Sequence, residues 1–297
     1  MRNPRCPLCN GALIYWTAWP GRDFERTWQL WRCVNDALVV PAADGGRPAY
    51  DSGFDQVEFH THAYLNISDD DTLQQARDQC VLVEELEPWL GPKDGVIAEI
   101  GAGSGTLTSA LKARGWTTRS SEPSNELVER AHRLFDLTEA EMCVADGWAH
   151  LESFGVARAH SIVMWHVLEH VSEAGALATK AFESLTSPGA LVLQLPMLAP
   201  EAIFDGHYFL VLPPFPEALA RRLGGHLAYV AADLDRLYLT VVITTTPPQE
   251  AIDTRPRWLP RTSTMDSMAF WLAASRISGF QSGDMRSPVD RSCILPS

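Results

Sequence analysis

The sequence predicts an α/β protein: a doubly wound, mostly parallel, seven-stranded sheet carrying a small cysteine-bearing module at its N-terminus. Three observations predict it. Between residues 93 and 246, strand-length apolar runs alternate with segments of helical periodicity, the pattern of repeated βαβ units. The first of those runs ends in Gly101-Ala102-Gly103-Ser104-Gly105, a glycine-punctuated turn into a helix. Ahead of it stand two short cysteine segments, Cys6-Pro7-Leu8-Cys9 and Cys33-Val34-Asn35-Asp36.

The 297 residues suffice for one large core or one core with a small appendage. With 46% hydrophobic residues the chain is not a disordered one. A net charge of −13 argues against general affinity for nucleic acid phosphates or anionic membranes, and no Lys/Arg run supplies a basic patch. No apolar stretch reaches the length of a membrane span, and residues 1–4 lead into cysteines rather than into a signal-peptide core. A reducing, cytoplasmic location is therefore expected. The six cysteines then read as metal ligands or free thiols, not as a disulfide frame.

Residues 1–50 form the first region, two knuckles separated by a hairpin, and they resemble a zinc ribbon. Tetrahedral zinc takes four ligands, of which Cys6, Cys9 and Cys33 supply three; Asp36 occupies the position of the fourth cysteine. Asp36 completes the set through oxygen, or His60 or His62 substitutes, or the hairpin holds no metal and is packed by Trp16, Trp19, Trp28 and Trp31. Residues 51–92 form a bridge. There Ser68-Asp69-Asp70-Asp71 caps a helix whose apolar side is Leu73, Ala76, Cys80, Val83 and Leu86, stopped by Pro88 and Gly91-Pro92. This helix either packs on the core or lies over a ligand.

Residues 93–246 read as strand 96–100, helix 105–114, strand 116–121, helix 124–135, strand 141–145, strand 160–165, helix 172–186, strand 190–195 and a closing pair, 226–231 and 237–245. Residues 247–297 are a Pro-, Ser- and Arg-rich extension with one helical pattern near 265–278.

In the glycine turn, Gly101 permits the reversal, Gly103 lets a ligand approach the backbone, and Gly105 lets helix and strand pack closely. The helix N-terminus adds unpaired N–H groups, so the turn reads as a nucleotide-type cofactor site. A dinucleotide fingerprint would place glycine at position 106, where Thr106 stands. The run Glu99-Ile100-Gly101-Ala102-Gly103-Ser104-Gly105 instead resembles motif I of the class I S-adenosylmethionine (SAM) methyltransferases. Two further segments carry the resemblance. Trp165-His166-Val167-Leu168-Glu169-His170 is similar to the segment after strand four of the ubiquinone O-methyltransferase type, and Leu185-Thr186-Ser187-Pro188-Gly189 is similar to that group's Leu-x-Pro-Gly segment.

The resemblance implies a Rossmann-like core that binds SAM through Glu99, Gly101, Ala102, Gly103, Gly105, Glu122, Pro123, Asp146, Gly147, Trp148 and Trp165. Glu122 would bond the ribose hydroxyls, Asp146 the adenine amino group, and Glu99 the methionine end; Trp148 stacks on adenine or packs in the core. Methyl transfer from a sulfonium is an in-line displacement, which requires alignment and exclusion of water, and a base only where the nucleophile carries a proton. His166 and His170 after strand four, and His207 and Tyr208 between strands five and six, are the candidate catalytic residues, because imidazole titrates near neutrality.

In the ubiquinone type a Glu-x-x-Glu-His run can hold a divalent ion. Here His166 replaces the first Glu, which weakens an oxygen-loving Mg²⁺ site and leaves a softer ion on two His and one Glu as the alternative. The implied acceptor is a small molecule, aromatic or sugar-like, methylated at O, N or C; relatives bearing zinc ribbons include enzymes that methylate carbon on nucleotide-linked sugars. The competing readings are a nicotinamide oxidoreductase and a non-catalytic SAM binder or scaffold. No motif specifies the oligomeric state.

Overall fold

The computed structural model describes residues 4–21, 26–43, 47–51, 53–154, 159–233, 237–248 and 257–259. The helix expected near 265–278 lies outside them. The N-terminal module is an antiparallel sheet of β1 (Ile14–Pro20), β2 (Thr27–Cys33), β3 (Leu38–Ala43) and the short β4 (Arg47–Pro48). Two helices follow. α1 (Gln56–Leu65) is capped by Asp55, and α2 (Asp69–Leu86) by Ser68 with three acids in its first turn, as the sequence suggests.

The core runs β5 (Val96–Ile100), α3 (Thr106–Ala113), β6 (Thr117–Glu122), α4 (Asn125–Phe135), β7 (Met142–Val144), α5 (Gly147–Ser153), β8 (Ala159–Trp165), α6 (Ala174–Glu183) and β9 (Leu185–Pro196). Next come β10 (Leu210–Val211), α7 (Phe215–Leu223), and the closing hairpin of β11 (His226–Asp233) and β12 (Tyr238–Thr244). A short eighth strand, β13 (Arg257–Leu259), joins parallel to β11 from the extension whose sequence carries no strand signal. The large sheet has the order β13-β11-β12-β9-β8-β5-β6-β7. Its strands β5 to β9 are parallel, while β12 is antiparallel to β9 and to β11.

Alternation along each buried strand feeds two cores. Ala98, Ile100, Ile162, Met164, Leu191 and Leu193 face one side, where α6 and α7 contribute Leu177, Ala178 and Leu219. Ile97, Val163, Val192 and Val242 face the other, under Val83 and Leu86 of α2 and Leu107 and Leu111 of α3. α2 is therefore a packing helix.

The cysteine module is not a free appendage. β10, from the segment between β9 and β11, extends its sheet by pairing with β3, and Trp28, Leu30 and Leu38 belong to the same core as α6 and α7. Gly175 of α6 donates its N–H to Pro7 O (3.0 Å), and a Cβ there would lie 2.0 Å from Leu8 O, so only glycine permits the contact. Arg26 pairs with Asp205 (2.6 Å).

Candidate functional site

The strand order reverses direction at β5, which pairs with β6 on one side and β8 on the other. Open α/β sheets leave a crevice at such a point, outside the carboxyl ends of the strands. A cavity of about 360 Å³ lies there. Its walls come from the ends of four strands: Gly101 and Gly103 after β5, Glu122 and Pro123 of β6, Asp146, Gly147 and Trp148 after β7, and Trp165 and His166 of β8. His170, Tyr208 and one side of α1 complete it.

The glycine loop has the conformation the spacing predicts. Gly101, Gly103 and Gly105 have φ of +70°, +54° and +74°, which a side chain would strain. Gly101 and Ala102 donate their N–H groups to Ser121 O (2.8 and 2.9 Å), tying the loop to β6. A Cβ on Gly105 would stand 2.8 Å from that of Ala131, so its role is the close packing of α3 on α4.

Glu122 is buried and faces the cavity. Its Oε2 accepts from Gly103 N–H (2.9 Å) and Oε1 from Ser124 N–H (3.1 Å). Burial pushes this carboxyl above the usual range, although both N–H groups favour the anion. Each oxygen keeps a second lone pair for a ligand hydroxyl. Asp146 caps α5, accepting from Ala149 N–H (2.8 Å), and its exposed carboxylate stands at the cavity rim beside the half-buried Trp148.

Glu99 departs from the expectation. Its side chain points beneath the loop, not into the cavity, where it accepts from Thr108 Oγ1 (2.5 Å); the Thr108 hydroxyl also meets Ser120 Oγ (2.8 Å). Burial raises its pKa to about 8, so it is mostly a neutral acid at pH 7. Its position is that of a structural acid pinning α3 to β5 and β6. Ala102 and Gly105 also shape the loop without lining the cavity.

At the opposite wall, His166 adopts φ +56°, an unusual conformation for a residue other than glycine. It is held there by three contacts: its N–H donates to Gln194 O (3.1 Å), Nε2 meets Gln194 Oε1 (2.7 Å) and Nδ1 meets Glu169 Oε1 (3.1 Å). Both ring nitrogens are thus engaged, which leaves neither free to take a proton from an acceptor. His170 donates from Nδ1 to Gly206 O (2.6 Å) and lines the cavity. His207 lies one layer behind, its ring 5.1 Å from that of His170, with Nδ1 on Ala202 O (2.7 Å). Tyr208 lines the cavity and donates its backbone N–H to Glu169 O (2.8 Å).

Burial lowers the pKa of His170 and takes that of His207 to about 3, so these rings are neutral at pH 7. Glu169 is fully buried; burial alone would raise its pKa, but its hydrogen bond with His166 Nδ1 helps hold it below the usual value. The three donors that converge are Glu169, His170 and His207, not the His166-containing set the motif suggests.

Among the lining residues that the sequence analysis does not place in the site, four are on α1. Gln56, Val57, His60 and Tyr64 form one wall. The Tyr64 ring lies 3.3 Å from where a Cβ of Gly103 would stand, and Arg130 of α4 fixes the end of α1 by donating to Tyr64 O and Ile67 O (both 2.6 Å) while pairing with Asp69. No residue of α1 is fully buried and its apolar residues share no single face, so periodicity gives no signal.

The cysteine cluster lies apart, and Asp36 is its fourth member. Cys6 and Cys33 Sγ stand 3.2 and 3.3 Å from Asp36 Oδ2, and Cys9 Sγ stands 3.6 Å from Cys33 Sγ. Zinc–sulfur bonds of 2.3 Å in a tetrahedron put ligands about 3.8 Å apart, so the four donors fit a zinc ion closely. Asp36 Oδ1 accepts from Arg222 of α7 (2.6 and 3.0 Å), which leaves Oδ2 for the metal. Burial disfavours the Asp36 anion, but the thiols and the Arg222 guanidinium hold its pKa below the usual value. His60 and His62, the alternative fourth ligands, belong to α1, where His60 meets the His170 ring and His62 is exposed beside Glu58.

A family model and one solved structure agree with this architecture. The family model for the methyltransferase domain matches residues 73–233. Among solved structures, a complex between a methyltransferase activator of Haloferax volcanii and its candidate methyltransferase aligns with a TM-score of 0.51 at 15% identity, over 63% of this chain and 97% of that one. Magnesium protoporphyrin IX methyltransferase from Synechocystis with bound SAM gives 0.46 at 16% identity, over 66% and 99%. An O-methyltransferase family protein of Burkholderia thailandensis gives 0.47 at 14%, over 61% of this chain and 59% of its own. No curated protein sequence matches significantly. Among the described residues no helix is long and apolar enough to cross a membrane.

Proposed function

Because this chain belongs to the methyltransferase-domain family, we propose that it is a SAM-dependent enzyme that methylates a small, aromatic or sugar-like molecule at O, N or C in the cytoplasm. One observation carries the reading: a single cavity is lined at once by Gly101 and Gly103, by the carboxylates of Glu122 and Asp146, and by Trp148. Hydroxyl, amine and flat aromatic surface are the complementary features of a nucleoside. Glu122 would accept from the ribose hydroxyls, Asp146 from the adenine amino group, and Trp148 would pack on the ring. Gly101 and Gly103, lacking side chains, let Val167 and the Tyr64 ring close in beside the loop (2.6 and 3.3 Å from where a Cβ would stand).

SAM, when bound, supplies a methyl carbon made electrophilic by the adjacent sulfonium. The protein's task is then to align an acceptor with that carbon and keep water away. α1 roofs the cavity, Trp165 and His166 bound it at the end of β8, and His170 and Tyr208 face it from the acceptor side. His166, with both ring nitrogens engaged, shapes the wall, while His170 and Tyr208 border the place an acceptor would take. Residues 1–50 act as a zinc module that braces α6 and α7, on the strength of the convergent Cys6, Cys9, Cys33 and Asp36.

The test is calorimetry with S-adenosylhomocysteine, SAM and NAD. Binding of the first two is expected; preference for NAD overturns the assignment.

A further inference from the structure

Methyl transfer does not account for what surrounds Glu169. Its carboxylate is wholly buried, and while Oε1 meets His166 Nδ1 (3.1 Å), Oε2 has no partner among the described residues. His60 Nε2 is likewise buried without a partner, in a ring whose centroid is 4.4 Å from that of His170. A buried carboxylate oxygen or imidazole nitrogen left unpaired is costly, and these two, one on Glu169 and one on a ring against its neighbour His170, need an explanation.

The histidines supply one. His170 and His207 each give Nδ1 to a backbone carbonyl, of Gly206 and Ala202. A carbonyl only accepts, so the ring proton sits on Nδ1 and the Nε2 lone pair is free. This anchoring of the second nitrogen is the usual support of a metal-bound histidine. One donor atom each from Glu169, His170 and His207 lie within 4.8 Å of one another. Ligands on bonds of 2.0–2.2 Å stand about 3.3 Å apart, so side-chain rotations of about an ångström would complete a coordination shell.

We propose that Glu169, His170 and His207 bind a divalent transition metal of the zinc, cobalt or iron class, with His60 as the fourth donor. Two or three imidazoles with one carboxylate select such an ion over Mg²⁺ or Ca²⁺, which require oxygen ligands. The ligands come from three separate segments: the turn at Leu168–His170, the loop at 204–208, and α1. The ion therefore fastens α1, the roof of the cavity, to the acceptor wall, a junction that Gln56 already makes by donating to Gly206 O (2.8 Å). In this role His170 and His207 are ligands rather than proton acceptors. The site stands whether or not SAM is the methyl donor.

The experiment is a Co²⁺ titration of the full chain freed of metal by a chelator. Cobalt on Cys6, Cys9 and Cys33 gives thiolate charge-transfer absorption; cobalt on the histidine site gives visible bands without it. A second cobalt of this thiolate-free kind is expected in the parent. His207→Ala should weaken its binding by more than about 100-fold, the upper range for loss of a supporting group; His60→Ala should weaken it less. A parent chain that takes up no thiolate-free cobalt overturns the proposal, as does unchanged affinity in His207→Ala. S-adenosylhomocysteine binding, measured on the same samples, reports separately on the methyl-transfer reading and on the fold of each variant.

Discussion

Glu122→Gln is the substitution that reads most directly on the cofactor end of the cavity. In the native protein the two carboxylate oxygens accept one buried N–H each, from Gly103 and Ser124. The amide keeps one acceptor oxygen and turns an NH₂ toward the other donor, so one backbone N–H loses its partner. That costs about 1–3 kcal/mol of folding stability. The lost charge also weakens the bonds offered to a ribose. A hydrogen bond to a charged group contributes about 1.5–3 kcal/mol, and 1.4 kcal/mol is tenfold in affinity, so S-adenosylhomocysteine should bind about 10–150-fold more weakly. Calorimetry measures the affinity and urea unfolding the stability. If stability falls as expected while affinity stays at the parental value, Glu122 serves the loop alone and the ribose assignment is refuted.

Three further outcomes are expected. Glu99, with a pKa raised from 4.5 to about 8, contributes its full stabilisation below pH 4.5; as pH rises to 8 the unfolded chain ionises first and stability declines, so Glu99→Gln should flatten the urea midpoint against pH across that window. A slope equal to the parent's would place the titrating group elsewhere. Gly175→Ala would gain about 1 kcal/mol in an open helix, but the 2.0 Å approach to Leu8 O should make it lose about 3 kcal/mol, read as a lower urea midpoint; a stabilised variant would deny the contact between module and α6. Zinc should copurify with the parent and leave with Cys9→Ser, with metal analysis as the measurement and a zinc-free parent as the contrary result.

The parts of the fold legible in the sequence are those specified by short-range pattern. Apolar runs marked β5 and β8, and glycine spacing gave the turn whose three positive φ angles the structure has. Glu122 and Asp146 were legible because a strand end lies next to them in the chain. Glu99 was misplaced for a physical reason: in a parallel strand successive side chains alternate between faces, and its own face is covered by α3, where Thr108 meets it. The α1 wall was invisible because His60 and Tyr64 sit on a helix with no buried residue, held by Arg130 far along the chain. The convergence of His207 with Glu169 and His170 was equally illegible, since it depends on how the loop at 204–208 folds back, through Tyr208 N–H on Glu169 O. Asp36 was named as the fourth ligand, but Arg222, which orients it, is 186 residues away.

The central claim is that the crevice at the ends of β5, β6, β7 and β8 holds a nucleoside. A crystal structure of the chain grown with S-adenosylhomocysteine tests it most directly. The account predicts ribose hydroxyls on Glu122, the adenine against Trp148 and Asp146, and the sulfur facing His170. A nucleoside bound elsewhere, or a crevice that stays vacant at saturating ligand, would contradict it.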